Sequence, residues 1–130
     1  MTHELRRALI RSREEMAATF HERALLSEFS DAAGYSPFHF QREFSALFGQ
    51  TPAEFVRELR LSQARRLLLQ SGLQVAEICM EVGYSSRTTF TREFARKHGQ
   101  PPIQFRRIYS MPGVWQLKMV PTCFLSNRKI

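Results

Sequence analysis

The chain has 130 residues and a mass of 15.2 kDa, which fits one compact domain or two very small ones and excludes a large α/β enzyme. Hydrophobic residues make up 43% and charged residues 24%, ordinary for a folded soluble protein. Lys and Arg number 19 against 12 acids, a net charge of +7, and sixteen of the 19 are Arg, whose planar fork matches phosphates and guanine edges.

The charge is uneven. Residues 1–33 carry five Arg and six acids, whereas residues 34–130 carry 14 basic and six acidic residues. An acidic ligand is therefore expected to meet the second part. Cys79 and Cys123 form no CxxC, and His3, His21, His39 and His98 form no HxxxH, so no metal or cofactor is expected. Two thiols in so short a chain read as a reducing, cytoplasmic protein. The start has Arg6, Arg7, Arg11 and Arg13 but no apolar h-region, and no apolar run approaches membrane length. No phosphate-cradling or nucleophile-elbow motif appears, so the chain is not expected to be an enzyme.

Taken in order, Leu5, Leu9, Met16 and Phe20 predict an amphipathic helix with a break near Ser12. Leu26, Phe29, Ser30 and Ala33 share one face of a second helix, which Gly34 ends. Ser36 caps a third, where Phe40, Phe44, Leu47 and Phe48 form a core stripe and Phe38, Gln41, Arg42 and Ser45 lie opposite. Thr51-Pro52-Ala53-Glu54 is a capping box with Pro at the first helical position. It opens a helix that runs without Gly or Pro to Gly72, about 20 residues and about 30 Å. Next, Val75, Ile78, Cys79 and Val82 form a core stripe that Gly83 stops. Ser85 or Ser86 caps the following helix, with Phe90 and Phe94 inward and Arg87, Thr88, Thr91 and Arg92 outward. Pro102 starts a short last helix holding Phe105. Residues 110–130 form an irregular tail, with Pro112-Gly113 breaking helix and an apolar, partly β-prone run over Val114–Val120.

An internal repeat underlies this order. Gly34-Tyr35-Ser36 recurs at Gly83-Tyr84-Ser85, and Phe40-Gln-Arg-Glu-Phe44 recurs as Phe90-Thr-Arg-Glu-Phe94. Gly49-Gln50, Pro52, Phe55 and Arg57 recur at Gly99-Gln100, Pro102, Phe105 and Arg107. Two copies with one insertion describe two lobes rather than a solenoid. The expected fold is all-α: lobe 1 at about 5–50, a linker helix at 52–71 and lobe 2 at about 73–109.

A helix, a Gly-bearing turn and a second helix make a helix-turn-helix, whose second helix offers polar side chains to the major groove. Here the unit occurs twice. A linking helix of about 30 Å nearly matches the roughly 34–36 Å between successive major-groove faces. Arg42 and Arg92 hold the same outward position in both repeats. Cys79 reads as an inert buried thiol, His39 and His98 as capping or packing residues, and Arg65 and Arg66 as solvated or ion-paired.

The pattern Gly-Tyr-Ser-x4-Gln-Arg-Glu-Phe, Gly-Gln-Thr-Pro, Val-Ala-Glu-Ile-Cys-x2-Val-Gly-Tyr-Ser-x4-Phe-Thr-Arg-Glu-Phe and Gly-Gln-Pro-Pro-x2-Phe-Arg resembles the AraC/XylS-type DNA-binding domain over about residues 5–107. The resemblance implies about seven helices in two helix-turn-helix lobes, binding to double-stranded DNA, and transcription activation through contact with RNA polymerase. It is to the small stand-alone activators; and because both lobes lie in one chain, a monomer is expected to reach two successive groove faces. It implies DNA contacts through Ser36, Phe38, Gln41 and Arg42 in the first lobe and Ser86, Arg87, Thr88, Thr89, Thr91 and Arg92 in the second. Arg87 departs from the uncharged polar residue of close relatives, and Leu25 and Gln74 stand where a capping Ser or Thr is common. Two alternatives stay open: a DNA-binding fragment of a larger effector-responsive regulator, and a basic helical module for protein or RNA.

Overall fold

The computed structural model describes residues 1–22 and 26–110. Leu25, Cys123 and the tail from residue 111 lie outside the described residues, and with them the expectations for the Leu25 cap and the tail. The described residues hold seven helices and no strand: α1 (His3–Ala18), α2 (Leu26–Ala33), α3 (Pro37–Phe48), α4 (Pro52–Gln70), α5 (Val75–Glu81), α6 (Arg87–His98) and α7 (Pro102–Tyr109). The chain divides into two compact units, Met1–Leu59 and the residues from Arg60 onward. The expected all-α architecture with two helix-turn-helix motifs is the one found.

In the first unit, Leu5, Leu9 and Met16 of α1 pack with Phe29 of α2 and with Phe40 and Phe44 of α3. In the second, Leu61 and Leu68 of α4 pack with Ile78 of α5, Phe90 and Phe94 of α6 and Phe105 of α7. Full burial of each such side chain stabilises its unit by about 1.5–3 kcal/mol. The duplication reaches further back than the motif. Leu9, Ser12 and Met16 of α1 are matched by Leu61, Ala64 and Leu68 of α4, all buried. Each unit is thus a long helix bearing a helix-turn-helix.

The two turns close identically. Gly34 donates its N–H to the Asp31 carbonyl (3.1 Å) and Tyr35 donates to that of Ser30 (2.9 Å); Gly83 donates to Met80 (3.1 Å) and Tyr84 to Cys79 (3.0 Å). This is the Schellman pattern, and Gly34 (φ 82°) and Gly83 (φ 103°) occupy its left-handed position. The bonds satisfy carbonyls at the end of one helix and turn the chain into the next.

Two expectations need correction. No break occurs at Ser12: its hydroxyl donates to the Ala8 carbonyl at 2.9 Å, four residues back, so the helix continues through it. The linking helix, expected over 52–71, ends one residue earlier. α4 ends at Gln70, where the Ser71 hydroxyl donates to the Leu67 carbonyl at 2.7 Å. Arg106 of α7 completes that end from afar, donating to the carbonyls of Leu68 (3.0 Å), Leu73 (2.6 Å), Ser71 (3.3 Å) and Leu67 (3.4 Å).

Candidate nucleic-acid interface

The helices α3 and α6 have 12 residues each and begin alike. Ser36 accepts the His39 N–H on its hydroxyl at 3.2 Å, and Ser86 accepts that of Thr89 at 3.2 Å. Each hydroxyl satisfies one backbone donor that a helix start leaves over. Between the two candidate caps of the sequence, Ser86 is therefore the one used. One face of each helix is fixed by an aromatic pair without exposure, Phe40 and Phe44 in α3 and Phe90 and Phe94 in α6. That burial leaves the opposite face no rotational choice, and the residues on it point outward because the helical period puts them there.

On α3 the outward residues are Phe38, Gln41 and Arg42, all exposed, with Phe38 at 75%. The Arg42 guanidinium lies 5.6 Å from the centre of the Phe38 ring, within cation–π range. Its Nη2 stands 3.3 Å from Nδ1 of His39, which stacks on Tyr35 with ring centres 5.2 Å apart. Glu43 adds a distant ion pair at 3.9 Å. Phe38, His39 and Arg42 thus form one preassembled cluster. On α6, Arg87, Thr88, Thr91 and Arg92 line a shallow common surface. Arg87, Thr88 and Arg92 are exposed, while Thr89 and Thr91 are half-buried. Arg92 has no side-chain hydrogen bond or ion pair among the described residues.

Of the two readings of Arg65, solvated or ion-paired, its burial at 8% exposure on α4 excludes the first. His98 is a packing residue at 3%, its ring 4.5 Å from that of Phe94 and 5.8 Å from that of Phe105. Burial, reinforced by the Arg65 charge, pushes its pKa down to about 4, so the ring is neutral. Cys79 is buried as expected and its thiol is pushed up by burial, which leaves it inert. Arg60 is pushed down by burial and lies 5.9 Å over the Tyr84 ring. In the sequence His39 reads as a capping or packing residue; its spacing of three from Arg42 and four from Tyr35 is the signal that unites the cluster. Among the described residues, no group of three His, Cys, Asp or Glu could hold a metal, and no helix is long and apolar enough to cross a membrane.

A family model described as a helix-turn-helix domain matches residues 29–108. Over 101 residues the chain is 34% identical to a Proteus vulgaris protein described as the probable transcription factor PqrA, spanning 78% of this chain and 77% of that one. The chain belongs to the AraC family of helix-turn-helix transcription regulators. Its AraC-type fold recurs in a regulator from Chromobacterium violaceum titled as an AraC-type DNA-binding-domain protein, with a TM-score of 0.70, 26% identity, and coverage of 83% of this chain and 96% of that one. The Bacillus subtilis protein AdaA, described as a bifunctional transcriptional activator and DNA repair enzyme, is 30% identical over 75% of this chain. That match spans 46% of AdaA, so only its AraC-type part is shared.

Proposed function

We propose that this chain activates transcription by binding, as a monomer, one asymmetric duplex site of about 20 base pairs, with α3 and α6 each laid in a major-groove face. The observation that carries the reading is the repeated pair Arg42 and Arg92. Each is exposed on a Ser-capped helix whose other face is locked by buried Phe, in a chain of the AraC family. In this reading Ser36, Phe38, Gln41 and Arg42 serve one half-site, and Ser86, Arg87, Thr88, Thr89, Thr91 and Arg92 the other. Arg42 and Arg92 pair with guanine edges, and Phe38 meets a thymine methyl. The hydroxyls of Ser36 and Ser86, already capping, keep an O–H to donate to a phosphate. Two readers of unlike sequence give no reason for a palindrome, which mirrors two-fold symmetry in the protein. RNA polymerase is the proposed protein partner and the bacterial cytoplasm, at the nucleoid, the proposed location. AdaA's description as an activator supports the direction of regulation.

Selection of bound duplexes from a random pool tests this directly. The expected outcome is one asymmetric site bound one to one in analytical ultracentrifugation, with affinity falling about 10³–10⁵-fold between 50 and 200 mM salt for roughly 6–10 phosphate contacts. A two-to-one complex on a palindrome, or a flat salt dependence, would overturn it. The short span of the AdaA match supports a second reading, in which the chain is the DNA-binding part of a longer regulator. A reading frame that continues past either end would decide for it.

A further inference from the structure

Beside the reading face of α6, the second unit carries a groove of about 370 Å³. Val75 is buried along it, while Gln74, Arg87, Ile103 and Arg107 are exposed. No acid lines it. Arg106 borders the same groove, but its guanidinium is spent on the carbonyls at the end of α4. Arg107 makes no side-chain hydrogen bond or ion pair among the described residues. Arg87, the first residue of α6, belongs both to this groove and to the surface formed with Thr88, Thr91 and Arg92. The groove is therefore continuous with the reading face.

Two guanidinium groups beside an apolar wall, with no acid between them, favour a small anion. Their planar forks match the oxygens of a phosphate or a carboxylate, and the anion that lies beside the reading face of α6 is the phosphodiester backbone. We propose that Arg87 and Arg107 clamp one backbone phosphate of the duplex that α6 enters, with the Gln74 amide as an added donor. This rests on the DNA-binding reading above and adds a phosphodiester site to it. The site exists on one unit only. In the first unit Pro37 stands at the position of Arg87 and offers no charge, and Arg57, at the position of Arg107, lies in the field of Glu54.

A clamp on phosphate has a signature that a base contact lacks: it sets salt dependence and leaves sequence preference alone. The test measures binding of the parent and of Arg107→Ala to the duplex the parent selects, from 50 to 200 mM salt. One lost phosphate contact lowers the log–log salt slope by about 0.9, so the affinity ratio of parent to variant shrinks about 3.5-fold over that range. Arg107→Lys keeps the slope, and a repeated selection with Arg107→Ala returns the parent's site. Methylphosphonate placed at each linkage in turn weakens the parent at one position, and weakens Arg107→Ala less at that position, because only the Arg87 and Gln74 contacts remain to be lost there. A parental slope in Arg107→Ala, or an altered selected sequence, overturns the clamp while leaving the DNA-binding reading standing. A parent that selects no duplex overturns both.

Discussion

Four residues after Phe44 the first unit has Phe48, and Arg13 of α1 lies over that ring at 4.5 Å. Four residues after Phe94 the second unit has His98, and Arg65 of α4 takes the place of Arg13. The backbone scheme is the same, but Arg13 is exposed whereas Arg65 and His98 are buried at 8% and 3%. The pattern extends along the unit. Phe55, Ala33 and Tyr35 are half-buried, and their counterparts Phe105, Val82 and Tyr84 are buried. On the reading helices the contrast reverses. The first unit holds its Arg against an aromatic ring and an imidazole, and the second leaves Arg92 unengaged among the described residues. Duplication thus preserved the caps and turns, which set backbone geometry. It let the electrostatics diverge, so one unit is the stiffer reader and the other the better buried scaffold.

The largest effects should come from the aromatic pairs. Phe94 meets Phe90, His98 and Phe105, and Phe44 meets Phe40, Phe48 and Phe55. Truncation to Ala should cost about 3–5 kcal/mol at each position. Phe94→Ala should sit at the upper end because Phe105 is fully buried and Phe55 is not, leaving less room to relax. Hydrogen exchange of each unit's amides reads the two losses separately. A larger loss for Phe44→Ala would break the comparison of scaffolds.

Acid should strike the second unit through His98. The unfolded ring takes up its proton near pH 6.5 and the folded one only near 4, so the unfolded state binds more protons between those values. The stability is complete above pH 6.5 and is lost as pH falls toward 4, by about 3 kcal/mol in all. His98→Phe, which installs the first unit's residue, should flatten that limb in urea titrations at several pH values. An unchanged acid limb would assign the sensitivity elsewhere.

Next come the readers. Arg42→Ala and Arg92→Ala should each cost about 1–3 kcal/mol on the selected site and relax preference at different base pairs. Arg42→Ala should cost more, since a guanidinium already held by Phe38 and His39 loses less freedom on binding. Phe38→Ala should itself weaken binding, through the lost thymine-methyl contact and through the freedom that a released Arg42 must give up on binding. Fluorescence anisotropy on singly substituted duplexes measures all three, and equal penalties for the two Arg variants would remove the distinction between a held and a free reader.

Much of this was legible in the residues because it is local. The Phe40/Phe44 and Phe90/Phe94 spacing, the Ser caps and the Gly-Tyr turns depend on neighbours within five positions, and each appears as read. What lay hidden depends on distant partners. The burial of Arg65, whose charge acts on His98 of α6, and the role of Arg106, which binds carbonyls more than thirty residues away, both depend on such partners. The Ser12 break failed for a different reason. A lone Ser inside a helix can bond back to the carbonyl four residues before it without ending the helix, as Ser12 does within α1. The held Arg42 was within reach of the sequence, because His39 sits one turn before it.

The smallest effect concerns the two Pro-started helices. Thr51 and Glu54 form a reciprocal box, Thr51 N–H to the Glu54 carboxylate at 3.0 Å and Glu54 N–H to the Thr51 hydroxyl at 3.1 Å. The Thr51 backbone N–H, and after it the Thr51 side chain, hold the Glu54 carboxyl below its ordinary range. Thr51→Ala should cost about 1 kcal/mol. The second unit has Pro101 at the equivalent cap, with no side-chain bond to the helix start. Pro101→Thr would create the sequence T-x-x-Q, with Gln104 in reach of the cap backbone. The gain of about 1 kcal/mol from that cap is opposed by about 0.4–1 kcal/mol of chain freedom restored to the unfolded state when a proline is removed. The two nearly cancel, so Pro101→Thr should shift stability by less than about 0.5 kcal/mol in urea unfolding, while Thr51→Ala shows its full loss. A gain well above 1 kcal/mol would mean that the start of α7 carries an uncompensated donor, and that the two units differ in capping as well as in charge.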